Sequence, residues 1–230
     1  MKTRAVLFDL GGTLVEICDG PKTFRRVLRS MGTARRESVI EQAILDTEKR
    51  LKAEGFMEKF GKIPCAEFWG RYDSSVLERL GIVDEKGDIV REVAEVWFDF
   101  ADITVYPDSE PTLRKLREMG IKTGIISNAY EEEIRQILSR AGLRMKMFDV
   151  VVGADTVHKR KPHRDVFVYA LRRLRVRGEE AMFVGDQVDV DYKGAEEAGL
   201  RSLLIMRERP RKELKGRRAI SRLSEILDRI

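Results

Sequence analysis

Aspartates that come just after short apolar runs are the side chains of this sequence best placed to do chemistry. Asp9 follows the apolar residues 5–8 and nearly adjoins a glycine pair, whereas Asp186 and Asp191 lie in an acidic loop after the apolar residues 181–184. Each run has the length of a buried strand, and open α/β sheets bind ligands at the carboxyl ends of their strands. Asp9 is therefore predicted to be a nucleophile, and Asp186 with Asp191 to offer the oxygen ligands that a hard divalent cation prefers.

Two further segments add groups suited to phosphate. Ser127 and Asn128 follow an apolar run, and a hydroxyl at a strand end can donate to a phosphate oxygen. Lys161 precedes a proline at the start of a predicted helix, where its ammonium group can face developing negative charge. Taken singly, each segment has a structural explanation, because aspartate and glycine form turns, serine and asparagine cap helices and most lysines lie on surfaces. Together, the segments indicate one phosphate-handling, metal-binding pocket.

The order and spacing of these four segments resemble the haloacid dehalogenase superfamily, most of whose members are magnesium-dependent phosphatases that form a phospho-aspartate. The resemblance covers nearly the whole chain and includes residues 106–120 and 194–199. It implies a Mg²⁺-dependent phosphohydrolase that acts on a small phosphorylated metabolite through an aspartyl phosphate on Asp9.

The resemblance also implies a role for each matching residue. The catalytic residues would be Asp9, Lys161 and Thr13, the last as a support of the nucleophile loop. The substrate-binding residues would be Ser127, Asn128, Gly11 and Gly12, partly through main-chain amides. The Mg²⁺ ligands would be Asp9, Gly11, Asp186 and Asp191, with Gly11 contributing its carbonyl oxygen.

Gly11 departs from the family pattern. Phosphatases of the family usually carry a second aspartate at this position, which protonates the leaving oxygen and then activates water. General acid–base help is worth about 10²–10⁴-fold in rate, so alkyl phosphates are expected to react slowly unless Glu16, Asp19 or an ordered water takes over this task.

Gly11 leaves alternatives open. The protein is either a phosphatase restricted to good leaving groups, a family hydrolase of different chemistry, or a catalytically weak phosphate-binding module. The different chemistries are 2-haloacid dehalogenation and phosphonate hydrolysis, the latter with a cap lysine such as Lys49 or Lys52. Because dehalogenation at carbon has no anionic phosphoryl group to neutralise, Asp186 and Asp191 favour phosphorus chemistry.

The remaining pattern predicts an α/β fold with two domains. Strands alternate with helices after residue 100, which predicts a Rossmann-like, doubly wound parallel sheet formed by residues 1–15 and 100–230. Between Leu14 and Tyr106, apolar residues recur at helical spacing without a strand signal, so residues 16–99 are predicted to form an inserted all-helical cap of about four helices. The apolar residues Ile220, Leu223 and Ile226 predict a terminal helix.

Composition restricts the classes of partner. The net charge is +5, and the residues from Arg207 to Arg218 are rich in Arg and Lys. No aromatic residues accompany this basic run, so a nucleic-acid partner is not expected. Charged residues make up 36% of the chain, yet it contains a single Asn, Asn128, a usage typical of thermophilic proteins.

Cys18 and Cys65 are too few for a disulfide scaffold or a zinc motif, which indicates a reducing compartment. No apolar run approaches the roughly 20 residues of a membrane span, and no signal peptide is apparent. We therefore expect a cytoplasmic monomer or homodimer with no membrane partner.

Overall fold

The structure is a computed structural model that describes residues 2–17, 20–207 and 218–230. The chain divides into two compact units, one formed by Met1–Glu16 with Ile103–Ile230 and the other by Ile17–Asp102. The second unit is thus inserted into the sequence of the first. The assignment of these units as catalytic core and cap stays a prediction.

The secondary structure alternates as an α/β chain outside the inserted unit. The strands are β1 (Ala5–Phe8), β2 (Val15–Ile17), β3 (Ile103–Val105), β4 (Lys122–Ile126), β5 (Val150–Val152), β6 (Ala181–Gly185), β7 (Arg201–Ile205) and β8 (Ala219–Ile220). The α-helices are α1 (Gly20–Ser30), α2 (Glu37–Ala53), α3 (Cys65–Arg79), α4 (Asp88–Phe100), α5 (Ser109–Glu118), α6 (Glu131–Arg140), α7 (Arg164–Leu174) and α8 (Lys193–Glu197). Shorter 3₁₀ segments span Phe56–Lys59, Met145–Met147, Gly178–Glu180 and Leu223–Asp228, and a π-helical turn spans Val188–Tyr192.

The first unit contains a parallel sheet, which confirms the predicted fold class. Within the described ranges the sheet has six strands in the order β5-β4-β1-β6-β7-β8. Phe8 at the end of β1 lies beside Ile125 of β4 and Val184 of β6. All residues of β1 and β6 are buried, as expected of central strands covered on both faces.

The direction of winding reverses between β1 and β6. From β1 the sheet continues through β4 to β5 on one side, and from β6 it continues through β7 to β8 on the other. Ligands of doubly wound sheets bind at such a switch point, beyond the carboxyl ends of the strands. Asp9 and Asp186, which directly follow these two strands, therefore lie where the fold places a ligand.

Helices α7 and α8 cover one face of the sheet. Apolar side chains of both helices join those of the strands in one buried cluster. Within it, the rings of Phe167 and Phe183 meet edge to face with their centres 5.2 Å apart. This packing anchors α7, whose amino-terminal approach carries Lys161.

The second unit is helical. Within its described residues α1, α2, α3 and α4 share a core of apolar side chains, among them Phe24, Val27, Leu28, Ile40, Leu51, Val76, Leu77 and Val93. Phe24 of α1 and Trp97 of α4 meet edge to face with ring centres 5.9 Å apart. None of the described helices in either unit has the length and apolar character needed to cross a membrane.

Two sequence predictions about secondary structure are wrong. The segment between Leu14 and Tyr106 does contain strands, because β2 and β3 pair as a separate two-stranded sheet. The terminal helix is replaced by β8, which includes Ile220, and by a short 3₁₀ helix. Pairing of Ile220 with Ile205 of β7 overrides the helical spacing of the apolar residues there.

Candidate active site

Asp9 is held at the carboxyl end of β1 by the neighbouring strand. Its main-chain N–H donates to the carbonyl of Val184 at 2.9 Å, which extends the pairing with β6 one residue beyond β1. The residue is only 7% exposed. Its carboxylate therefore lies at the switch point of the sheet but is largely removed from water.

Lys161 is the direct partner of Asp9. Its Nζ lies 2.6 Å from Oδ1 of Asp9 and 2.7 Å from Oδ1 of Asp191, and all three side chains are buried. The same ammonium group is 5.3 Å from the centre of the Phe183 ring. The sequence-predicted pairing of Lys161 with Asp9 is thus present, and Asp191 shares the same cation.

Asn128 fixes the main chain of Lys161. The Nδ2 of Asn128 donates to the Lys161 carbonyl at 3.0 Å, and its Oδ1 accepts from the Lys161 N–H at 2.7 Å. The neighbouring Ser127 is held through its main-chain N–H, which donates to the Val152 carbonyl at 3.0 Å. Ser127 is partly buried beyond the end of β4, the strand next to β1.

Two close approaches to glycine place the acidic loop. A β-carbon on Gly185 would lie 2.4 Å from Cγ of Asp191, and one on Gly12 would lie 2.5 Å from Oδ2 of Asp186. Gly12 also has a φ of 70°, a conformation that favours glycine. Asp191 is further fixed because its Oδ2 accepts from the Gln187 N–H at 3.1 Å.

The electrostatics of the site reflect a crowd of buried charges. Burial raises the pKa of Asp9, the Lys161 ammonium lowers it and Asp191 raises it, with a net value of about 6. Burial lowers the pKa of Lys161, but Asp9 and Asp191 outweigh this effect and leave that pKa above its ordinary value. Burial, followed by the charge of Asp191, raises the pKa of Asp186. The single ammonium group of Lys161 therefore does not neutralise the charge of the three carboxylates.

This deficit and the donor chemistry fit a divalent cation. Asp9, Asp186 and Asp191 each offer a carboxylate oxygen, and these oxygens lie within 4.8 Å of one another. Three carboxylates against one ammonium leave a formal charge of about −2, and all the donors are the hard oxygens that Mg²⁺ or Ca²⁺ prefers. The site can therefore hold a divalent metal ion.

The nucleophile loop is held through its main chain. The Gly12 N–H donates to the Val15 carbonyl at 2.8 Å, and the Val15 N–H donates to the Leu10 carbonyl at 3.1 Å. The Thr13 hydroxyl is buried and has no hydrogen-bond partner among the described atoms. The hydrogen bond that Thr13 contributes to the loop is therefore made by its main chain.

None of the residues considered as substitutes for the missing acid at Gly11 is seen to be buried in the described part of the chain. Glu16 is exposed in β2, and Asp19, like Cys18, lies outside the described residues. Lys49 and Lys52 are both exposed on α2, whereas a catalytic lysine that acts as a base needs burial to lower its pKa.

Sequence reasoning missed Gly194, Gly185 and Gln187 as supports of the site. A β-carbon on Gly194 would lie 2.9 Å from Cβ of Pro162, so this glycine lets the segment that carries Lys161 approach α8. A glycine inside a helical pattern is the signal that could have identified such an approach. The contribution of Gln187 is a main-chain N–H, which leaves no signal in the sequence.

Comparison with known proteins agrees with this geometry. The family model described as haloacid dehalogenase-like hydrolase matches residues 3–199. A glyceraldehyde 3-phosphate phosphatase from Methanopyrus kandleri is 31% identical over 206 residues, which cover 89% of this chain and 84% of that protein. The chain belongs to the haloacid dehalogenase-like hydrolase family and is therefore a hydrolase.

Solved structures share the fold over nearly their whole length. A 2-haloacid dehalogenase from Pseudomonas syringae pv. Tomato DC3000 superimposes with a TM-score of 0.76 at 21% identity, covering 98% of this chain and 97% of that one. A HAD phosphatase from Thermococcus onnurineus gives a TM-score of 0.62 at 26% identity, covering 99% of this chain and 97% of that one. The dehalogenase is only 21% identical, so its likeness to this chain shows the fold and not the reaction.

Proposed function

We propose that this hydrolase is a Mg²⁺-dependent phosphatase that acts on a small phosphorylated metabolite through an aspartyl phosphate on Asp9. The observation that carries the proposal is the contact of Asp9 with Lys161 beside two further carboxylates. Dehalogenation at carbon would gain nothing from a metal-binding acid pair, whereas attack on a phosphoryl group requires neutralisation of charge. The phosphatase relative named above supports the same choice.

The residues of this chain divide the work. Asp9 supplies the attacking carboxylate oxygen, and Lys161 offsets both the Asp9 charge and the charge of the incoming phosphoryl group. Ser127 donates its hydroxyl to a phosphoryl oxygen. Asp9, Asp186, Asp191 and the Gly11 carbonyl would hold Mg²⁺, which would supply further charge neutralisation when bound. As the new bond to phosphorus forms, the bond from phosphorus to the leaving oxygen of the substrate breaks and the alcohol departs. Water then hydrolyses the aspartyl phosphate, which releases inorganic phosphate and regenerates the Asp9 carboxylate.

Gly11 narrows the proposed substrates. Without a carboxyl group at this position the leaving oxygen receives no proton from the loop, so acyl, aryl and sugar 1-phosphates should react faster than alkyl phosphates. Phosphonate hydrolysis is less well supported, because Lys49 and Lys52 are exposed. We assign substrate selection to the helical unit, which acts as a cap in this proposal.

The test compares two aspartates with different exposure. Asp9→Asn should abolish hydrolysis of 4-nitrophenyl phosphate in Mg²⁺, because the amide is a poor nucleophile, and circular dichroism should show an intact fold. Asp189→Asn is the matched control, since the Asp189 side chain lies in the same acidic loop but is 81% exposed. The control variant should keep the wild-type rate.

A trapping experiment tests the aspartyl phosphate directly. Beryllofluoride mimics an acyl phosphate, so it should bind the wild-type protein in the presence of Mg²⁺ and raise its melting temperature, but should leave Asp9→Asn unchanged. Substantial turnover by Asp9→Asn, or equal stabilisation of both proteins, would overturn the proposal.

A further inference from the structure

Arg207 reaches the nucleophile loop from the end of a different strand. It lies two residues beyond β7, and its Nη2 donates a hydrogen bond to the main-chain carbonyl of Thr13. Its Nη1 donates to Oδ1 and Oδ2 of Asp108 at 2.8 and 2.9 Å. The guanidinium carbon is 4.0 Å from the centre of the Tyr106 ring. One side chain thus joins the nucleophile loop to the segment that leads into α5.

This arrangement is largely shielded from water. Only 14% of the Arg207 side chain and 19% of the Asp108 side chain are exposed. Asp108 is itself held, because its Oδ2 accepts from the Leu223 N–H at 2.6 Å. Exposed ion pairs contribute little to stability, but a planar guanidinium that is shared between a carboxylate and a carbonyl in a largely buried position has a fixed geometry.

The next carbonyl of the loop is tied to the same segment. The Leu14 carbonyl accepts from the Ser109 hydroxyl at 2.7 Å and from the Tyr106 N–H at 3.2 Å. The hydrogen bonds inside the loop shape it, but they do not fix it relative to α5. The hydrogen bonds to the Thr13 and Leu14 carbonyls fix the loop relative to α5. Arg207 donates the bond to the Thr13 carbonyl.

We infer that Arg207 is a positioning residue of the active site, which fixes the loop of residues 10–14 and thereby the direction of the Asp9 carboxylate. Its importance for catalysis rests on the proposed function of Asp9. Displacement of a nucleophile lowers the rate of reaction, because the reacting atoms must meet in a narrow range of distances and angles. Lysine cannot replace arginine here, since one ammonium group cannot hold Asp108 and the Thr13 carbonyl in the same fork.

The first measurement does not depend on activity. The Leu14 and Val15 amides donate to the Leu10 carbonyl at 2.9 and 3.1 Å, so their hydrogen exchange reports on the loop. In Arg207→Met and Arg207→Lys this exchange should accelerate at least about tenfold, while exchange in β4 stays unchanged. The kcat for 4-nitrophenyl phosphate should fall about tenfold or more, with KM within about twofold of wild type.

A second variant separates positioning from stability. Arg207→Met leaves the largely buried Asp108 without its cation, so the melting temperature of this variant should drop. The double variant Arg207→Met with Asp108→Asn removes both charges and keeps an oxygen for the Leu223 N–H. Its melting temperature should recover towards wild type, whereas loop exchange should stay fast and kcat low. Recovery of exchange and kcat together with the melting temperature would overturn the inference.

An arginine at the opposite end of β1 provides the control. Arg4 pairs with Glu180 at 3.4 Å, and its side chain is 52% exposed, so Arg4→Met should change neither loop exchange nor kcat. If the wild-type protein lacked phosphatase activity, the proposed function would fail, but the exchange measurement would still test whether Arg207 fixes the loop. If hydrogen exchange of the loop in Arg207→Met were as slow as in the wild type, the inference about Arg207 would be rejected and the proposed function would be unaffected.

Discussion

The side chain of Asn128 holds Lys161 by both of its main-chain polar groups. Its Nδ2 donates to the Lys161 carbonyl at 3.0 Å and its Oδ1 accepts from the Lys161 N–H at 2.7 Å. The only asparagine of the chain therefore fixes the point from which the lysine side chain extends. The Nζ at its far end lies 2.6 Å from Oδ1 of Asp9.

Asn128→Ala should therefore damage catalysis through Lys161. Loss of both bonds leaves two main-chain groups in need of partners, which is expected to lower the free energy of unfolding by about 1–3 kcal/mol. Misplacement of the ammonium group should lower kcat by about 10–100-fold. Denaturant unfolding and steady-state kinetics measure the two effects. Gln136→Ala, a change at an exposed site on α6, should alter neither quantity, and an unchanged kcat in Asn128→Ala would contradict the positioning role.

The extent to which the sequence predicts this fold depends on the length of each apolar run. Residues 5–8 and 181–185 form central strands, and apolar runs identify both of them, whereas in the central strand of residues 122–126 only the last part is apolar. β2 and β3 have three residues each and are partly exposed, so they contain no apolar run and are too short for their alternation of apolar and polar residues to identify a strand. They exist because they pair with each other, which is a tertiary property.

The same distinction applies to the site. Asp9, Asp186 and Lys161 follow a strand or precede a helix, and these positions can be recognised locally. The two bonds between Asn128 and Lys161 join residues 33 positions apart. The contact of Arg207 with Thr13 spans 194 positions. Such contacts depend on how the completed sheet brings its loops together, and no local sequence pattern predicts them.

Gly11→Asp tests whether proton transfer limits the reaction. If the missing acid limits the rate, the variant should accelerate alkyl phosphates more than aryl phosphates, because alkoxides are the poorer leaving groups. We expect a gain of about tenfold or more in kcat/KM for an alkyl phosphate.

The adjacent glycine supplies the contrast. Gly12→Asp should lose activity towards both substrates, since Gly12 has a φ of 70° and a β-carbon there would lie 2.5 Å from Oδ2 of Asp186. Equal effects of Gly11→Asp on alkyl and aryl phosphates would rule out proton transfer as the missing element.

Asp186→Asn should weaken metal binding and should stabilise the metal-free protein. Burial and the charge of Asp191 raise the pKa of Asp186, so its carboxylate is disfavoured when no cation is bound. In EDTA the variant should melt at or above the wild-type temperature. Mg²⁺ at about 100 times its Kd should stabilise the wild type by about 2.7 kcal/mol and the variant far less.

Thermal unfolding in EDTA and in Mg²⁺ measures both halves of this prediction. Asp189→Asn should respond to Mg²⁺ like the wild type, because the Asp189 side chain is 81% exposed. If Mg²⁺ stabilised Asp186→Asn and the wild type equally, Asp186 would not be a ligand of the metal ion.

Asp73 of α3 should make the stability of the protein fall as the pH rises. Burial raises the pKa of Asp73 from its ordinary value of 3.8 to about 7. Between these two pH values the unfolded chain has lost the proton that the folded protein retains, so each increase in pH favours unfolding. The shift of about three units corresponds to a loss of roughly 4 kcal/mol that is complete above pH 7.

Asp73→Asn removes this titration without changing the size of the side chain. The variant and the wild type should unfold with similar free energies near pH 4, and the variant should be the more stable by an amount that grows up to pH 8. Urea unfolding across this range measures the difference. Asp88→Asn, on a side chain of α4 that is 67% exposed, controls for loss of an aspartate. If Asp73→Asn and Asp88→Asn showed the same pH dependence, Asp73 would be ionised in the folded protein at little cost.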